Sequence, residues 1–447
     1  MGKTITLKKG LDIKLNGKAK NVLVDAQKTK MFAVQPTDFE GIIPKLLVKP
    51  GAEVKAGTVL FFAKKNPNIK FTSPVSGVVK QIVRGERRRI LHVLIEADSE
   101  NSYEEFKTSD ISSLSEENIK ETLLNSGVWP FIRQRPYAII ADPETKPKSI
   151  FISAFDSAPL GVDYEFILSN EVANFQKGID ILSKLTDGNI NLNIDGKADS
   201  SFFSNIKGVE LNKFIGKHPA GTIGTQINKI DPINKGEFVW YVNPQDVVII
   251  GRLFSEGKFD ARKIIALVGS QVSEPKYYNT IIGAELNVFN DEALNDKSNR
   301  VINGDVLTGI IANGFIGAYN SQVSVIPEGN YYEFFGWISP RFKKFSMSKT
   351  YMSWLMPSKE YSLDTNVNGG DRALVVTGEY EKVVPMDILP TYLVKACLAE
   401  DIDKMEQLGI YEVAEEDLAL CEFVCTSKIE VQKIIRDGIN LMIKELS

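Results

Sequence analysis

Glycine and valine recur in phase along Val48-Lys49-Pro50-Gly51-Ala52-Glu53-Val54-Lys55-Ala56-Gly57-Thr58-Val59-Leu60, and Phe71-Thr72-Ser73-Pro74-Val75-Ser76-Gly77-Val78-Val79 answers that run. Valines two positions apart share one face of a strand, whereas Gly51, Gly57 and Gly77 stand where tight turns demand positive φ. Short strands broken this often must fold back on one another. The hairpin joining the two halves reads Phe62-Ala63-Lys64-Lys65-Asn66-Pro67-Asn68.

The pattern V-x-x-G-x-x-V-x-x-G-x-x-L followed by S-P-x-x-G-x-V resembles the flattened β-sandwich of biotinyl and lipoyl carrier domains. Carriers present a modifiable lysine on the hairpin between the halves. Here that hairpin lacks both the methionine-flanked lysine of biotin carriers and the Asp-Lys pair of lipoyl domains. The expectation is a carrier scaffold without its swinging arm. The competing reading is a carrier-type protein acting through Lys64 or Lys65.

At 447 residues the chain is too long for one core. No window approaches roughly 18 uninterrupted apolar residues, so no span of a bilayer is expected. The N-terminus Met1-Gly2-Lys3-Thr4-Ile5-Thr6-Leu7 lacks the apolar core of a signal peptide, which points to the cytoplasm. Any membrane attachment is therefore expected to be peripheral and through protein. A net charge of −4 argues against nucleic-acid binding. With Cys397, Cys421 and Cys425 as the whole complement of thiols and no C-x-x-C, a four-cysteine zinc or iron–sulfur site cannot be built, and no metal site is expected. The thiols read as reduced core residues.

The fold expected is multidomain α+β. Residues 1–100 read as the biotinyl/lipoyl-like barrel-sandwich hybrid. A Rossmann-like α/β layer follows over 101–257, with a helix opening at Ser115-Glu116-Glu117, a long helical stripe from Glu165 to Leu185, and a helix after Asn243-Pro244. Residues 258–330 form a compact β-grasp-like (SLBB-like) domain. The aromatic run Tyr331-Tyr332-Glu333-Phe334-Phe335-Gly336-Trp337 suggests a β-rich connection over 331–384, and 385–447 read as C-terminal helices.

Few segments carry chemistry. There is no G-x-G-x-x-G after a strand, no P-loop and no nucleophile–base motif, so no catalytic residue is assigned. The loop Ile215-Gly216-Lys217-His218-Pro219-Ala220-Gly221-Thr222-Ile223-Gly224 winds glycines around one of the two histidines. Its amides can form an anion nest, or the loop is a structural crossover. In Gly127-Val128-Trp129-Pro130-Phe131-Ile132-Arg133-Gln134-Arg135-Pro136-Tyr137, aromatics interleave with two arginines. They clamp a planar ring or cap the sheet. Arg84, Arg87, Arg88 and Arg89 form either a solvated turn or a docking patch for an acidic partner or lipid headgroups.

Taken in order, several short motifs resemble the A subunit of the bacterial sodium-translocating NADH:quinone oxidoreductases. They are Ile5-Thr6-Leu7-Lys8-Lys9-Gly10-Leu11-Asp12, Lys64-Lys65-Asn66-Pro67, Ser126-Gly127-Val128-Trp129 with Arg135-Pro136, His218-Pro219-Ala220-Gly221 with Gly224-Thr225, Gln245-Asp246-Val247, and Leu418-Ala419-Leu420-Cys421-Glu422-Phe423-Val424-Cys425. The resemblance implies a soluble subunit on the cytoplasmic face of a six-subunit membrane complex that oxidises NADH, reduces quinone and exports Na⁺. It implies that FAD, FMN, riboflavin and the iron–sulfur cluster sit in the other five subunits, with this chain binding none of them. Related flavoproteins carry a glycine-rich flavin loop where this chain has Trp129-Pro130-Phe131. Phe131, Arg133, His218 and Gly221 are the candidates for contact with quinone, or with the membrane subunit that holds it. A docking subunit without ligand is the alternative.

Overall fold

The computed structural model describes residues 2–198, 200–336 and 341–446. Its head is the sandwich that the valine–glycine phase demands. A four-stranded sheet runs in the order Met31–Val34, Ile90–Ala97, Gly77–Arg84, Glu53–Val54, and a three-stranded sheet in the order Pro44–Leu46, Val59–Ala63, Lys70–Thr72. Gly51 and Gly57 have φ of +87° and +97°, the left-handed backbone that their turns require. Leu60, Phe61, Val79, Val93 and Ile95 on these strands are fully buried.

The central body is a seven-stranded sheet ordered Thr4–Thr6, Glu210–Ile215, Ile190–Asp195, Ile150–Ser153, Val239–Tyr241, Arg133–Arg135, Ile139–Ile140. The first five strands are parallel and the last two antiparallel. After Ile150–Ser153 the chain builds outward on one side through Ile190–Asp195 and Glu210–Ile215, then crosses to add Val239–Tyr241 on the other. Strand order reverses at that crossing. Helices Val172–Leu182 and Pro244–Glu256 lie nearly backbone to backbone: a Cβ on Gly251 would stand 1.8 Å from the Asn174 carbonyl oxygen, and one on Gly178 2.2 Å from that of Val247.

A six-stranded mixed sheet makes the third body, ordered Ile310–Ile311, Asn299–Asn303, Gln322–Pro327, Arg262–Val268, Lys276–Ile281, Leu23–Asp25. Helices Tyr380–Val383, Pro390–Leu398, Ile402–Gln407, Ala419–Val424 and Val431–Leu446 pack at the end of the chain. The cysteines are free and buried.

Three expectations need correction. Two short strands within the first hundred residues lie outside the sandwich's own sheets: Thr4–Thr6 pairs with Lys213–Ile215 at the edge of the central sheet, and Leu23–Asp25 with Tyr277–Asn279 at the edge of the third. Three-residue strands have no internal pattern strong enough to reveal a partner; two open sheet edges recruit them. The stripe from Glu165 to Leu185 is two helices, Tyr164–Leu168 and Val172–Leu182, because the chain turns at Ser169–Glu171. The connection over 331–384 contains no strand among its described residues. Aromatic composition favours a pleated surface only where the rings are half buried, and Tyr332 and Phe334 stand in solvent. Trp337 lies outside the described residues.

Candidate functional site

The reversal of strand order leaves a crevice beyond the carboxyl ends of Ile150–Ser153 and Val239–Tyr241, the position where open α/β sheets receive ligands. A cleft of about 200 Å³ occupies it. One strand end delivers Ser153, Phe155 and Asp156; the other delivers Tyr241, Val242 and Asn243. Asn243 also caps the following helix, accepting from the Gln245 N–H at 3.0 Å while its amide donates to the Tyr164 hydroxyl at 2.9 Å.

The four residues singled out in the sequence, Phe131, Arg133, His218 and Gly221, all line this cleft. Arg133 lies between two rings, its guanidinium carbon 4.9 Å from the centroids of both Tyr241 and Tyr319. Burial alone would lower its basicity, but Tyr241 and Glu416 oppose that and hold it above the usual arginine value. Phe131 packs edge-on to Tyr319 at 6.2 Å. His218 is buried, its Nδ1 3.0 Å from the Ser157 hydroxyl, and burial pushes its pKa down, which favours the neutral ring.

Four amides of the glycine loop are already engaged within the protein. The His218 amide donates to Asp12 Oδ1 at 2.9 Å, that of Ala220 to Lys217, that of Gly221 to Ser157 Oγ at 2.7 Å and that of Thr222 to Pro219. Those donors are consumed inside the protein, so none of them is left for an anion. Gly221 is needed for close approach: a Cβ there would sit 2.7 Å from the Ser157 nitrogen. The aromatic–arginine segment divides. Trp129 donates Nε1–H to the Ala141 carbonyl at 2.8 Å inside the core. Arg135 is fully buried, donating to Asp417 Oδ2 at 2.7 Å and Glu416 Oε1 at 2.6 Å, and so anchors the C-terminal helices to the sheet. Arg84, Arg87, Arg88 and Arg89 crowd the exposed tip of the hairpin between Gly77–Arg84 and Ile90–Ala97, remote from the cleft in sequence and lining none of its wall. Arg84 donates to the Arg88 carbonyl, and none of the four makes an ion pair with a described residue.

Residues that the sequence did not flag complete the site. Asp156 is pushed up to about 6, first by burial and then by the nearby Asp305. Asp305, Thr308 and Tyr319 arrive from the third body and Glu416 from the C-terminal region. A second cleft of about 390 Å³ continues past Asp156, Asp305, Tyr319 and Glu416 to Asp38 and Gln322. Position at or just past the end of a buried strand could have pointed to Tyr241 and Asp156. No local signal marks Asp305, Tyr319 or Glu416.

The aromatic walls, one stacked arginine, a neutral histidine and an excess of carboxylates suit a flat ring bearing hydrogen-bond acceptors. They do not suit a phosphate-bearing nucleotide. By fold and site the protein is a three-bodied α/β protein with a carrier-like head and a cleft shared among its domains. Three family models match in succession: the NqrA N-terminal barrel-sandwich hybrid domain over 5–98, the NqrA second alpha/beta domain over 114–259, and the NQRA C-terminal domain over 264–314. The A subunit of the Na(+)-translocating NADH-quinone reductase of Neisseria meningitidis serogroup A is 39% identical over 446 residues, 99% of this chain and 100% of the relative. Its counterpart from Haemophilus influenzae is 39% identical over 447 residues, with the same shares. A NAD⁺-reducing [NiFe]-hydrogenase is a slight structural likeness, with TM-score 0.31 and 10% identity over 67% of this chain and 55% of that one. The chain belongs to the NqrA family, the A subunits of the Na(+)-translocating NADH-quinone reductases. No helix among the described residues is long and apolar enough to cross a membrane.

Proposed function

We propose that this chain serves a membrane-bound NADH:quinone reductase that exports Na⁺, as a peripheral subunit on the cytoplasmic face, and that its switch-point cleft receives the quinone headgroup. The observation that carries this is the convergence of Phe131, Arg133, His218 and Gly221, from two separate segments, on one cleft with aromatic walls. A quinone ring needs apolar faces and donors at its two carbonyl oxygens. Phe131, Tyr241 and Tyr319 supply faces; Arg133 supplies a fixed positive donor. Reduction to quinol takes up two electrons and two protons. Asp156, its carboxyl pushed up to about 6 by burial and by Asp305, can hold one of these protons next to the ring. The electrons would come from NADH through FAD, FMN, riboflavin and iron–sulfur centres held by the other five subunits, with none bound here. Asp305 and Glu416 at the cleft disfavour a nucleotide phosphate by like-charge repulsion.

In the assembled complex, His218→Ala should raise the apparent quinone requirement several-fold and leave NADH oxidation by an artificial acceptor intact, since a neutral hydrogen bond contributes roughly 0.5–1.5 kcal/mol; Phe131→Ala should act in the same direction by removing an apolar face. Wild-type quinone kinetics in both variants would make the cleft scaffold and leave a docking subunit without ligand.

A further inference from the structure

The described residues 331–336 and 341–359 are unlike the rest of the surface. Tyr332 and Phe334 are 104% and 87% exposed, and Phe335, Phe342, Trp354 and Leu355 also stand in solvent. Arg341, Lys343, Lys344, Lys349 and Lys359 share the segment, and no Asp or Glu occurs from 341 to 359 in a chain whose net charge is −4. Its described residues 341–359 have an inner and an outer side. Phe345 points inward, 5.8 Å from the ring of Tyr361 and 6.1 Å from that of Phe423 on the C-terminal helices. Ser346 and Ser353 close a short turn within it, the Ser346 N–H donating to Ser353 Oγ and that hydroxyl donating back to the Ser346 carbonyl, both at 3.2 Å. The Lys14 ammonium donates to the Pro357 carbonyl at 3.0 Å, which fixes the loop to the N-terminal arm. Glu333 is shared by Lys344 at 2.6 Å and Arg341 at 3.5 Å. Lys343 has no acidic partner among the described residues, and Lys349 lies 5.7 Å over the Trp354 ring.

We infer that this loop is a lipid-docking surface, whose exposed rings enter the headgroup layer of an anionic bilayer while its lysines meet lipid phosphates. An apolar patch of this kind on a folded loop needs a partner. Tyr, Trp and Phe interleaved with Lys is the composition of interfacial anchors: the rings favour the boundary between headgroups and acyl chains, and basic side chains gain from negative surface potential. Unlike the hairpin arginines, which carry charge without rings, this surface offers both.

The test is flotation of the purified full chain with vesicles of phosphatidylcholine, alone or mixed with phosphatidylglycerol. Binding is expected only to the anionic vesicles, weakened by salt. Lys343→Gln with Lys349→Gln should lower the partition coefficient about 30-fold. Phe334→Ser with Trp354→Ser should lower it at least as far, with thermal melts of both variants unchanged. Glu substitutions at Arg84, Arg87, Arg88 and Arg89 should have little effect. No flotation with anionic vesicles overturns the inference and turns the patch toward a protein partner. Binding that survives loss of the rings, or that follows the hairpin arginines, overturns it as well.

Discussion

Arg135→Met tests how the C-terminal helices are held to the sheet. The guanidinium and the Asp417 carboxylate are both wholly inaccessible to solvent, 2.7 Å apart, with Glu416 as second acceptor at 2.6 Å. Burial outweighs Arg135 and raises Asp417 to about 6, so this carboxylate is already costly. In the variant it keeps one donor, the Ala414 N–H at 2.8 Å. Removing one member of a buried pair costs about 3–5 kcal/mol, most of it from the charge left behind. A carboxyl raised in the fold contributes stability below its unfolded value and loses it as pH rises through the folded value. The penalty should therefore be larger at pH 8 than at pH 5. Arg135→Met with Asp417→Asn removes both charges and should recover at least half of the loss. Urea unfolding of the four proteins at both pH values reads all of this. A single variant within 1 kcal/mol of wild type at pH 8, or a double variant costing the sum of the singles, would refute the account.

The Asp38 carboxyl, lifted to about 7 by burial against the opposing Ala318 N–H and Lys263, should contribute stability that is full below about pH 4 and lost as pH rises through 7. Asp38→Asn should flatten that slope by on the order of 2–4 kcal/mol in unfolding free energy between pH 5 and 8, and an unchanged slope would count against it. Gly251→Ala must push its Cβ off the Asn174 carbonyl and should lower the melting temperature by several degrees, about 1–3 kcal/mol; a wild-type melt would mean that the helix pair separates freely. Lys64 and Lys65 should carry no biotin or lipoate, which an intact mass decides. The isolated chain should absorb negligibly between roughly 350 and 500 nm, and stoichiometric flavin released on denaturation would contradict that.

Local rules carried the reading some distance. The phase of Val48–Leu60 against Phe71–Val79 required a sandwich, because positive-φ glycines at 51 and 57 leave an alternating chain no other way to turn. Ser115 and Asn243 announced helices that they do cap, at Glu116–Ser126 and Pro244–Glu256. Phe131, Arg133, His218 and Gly221 stood out because aromatic–arginine and glycine–histidine runs are rare in this chain. Their convergence was invisible, since it depends on strand order, which no segment encodes alone. The aromatic run at 331 misled in the opposite direction: composition favoured a strand, and solvent exposure decided against one.

The sequence by itself determined the class of each segment, since turn chemistry, capping and strand alternation act within a few residues. It also determined what was missing, from the cysteine quartet to the glycine-rich nucleotide loop. Tertiary structure alone decided which edges Thr4–Thr6 and Leu23–Asp25 would complete. It also brought Asp305, Tyr319 and Glu416 to a cleft floored by strand ends more than 60 residues away in sequence. It buried Asp156 and Asp417 deeply enough to move their protons toward neutral pH. Desolvation is a property of the assembled surroundings, and a carboxylate in the sequence carries no trace of it.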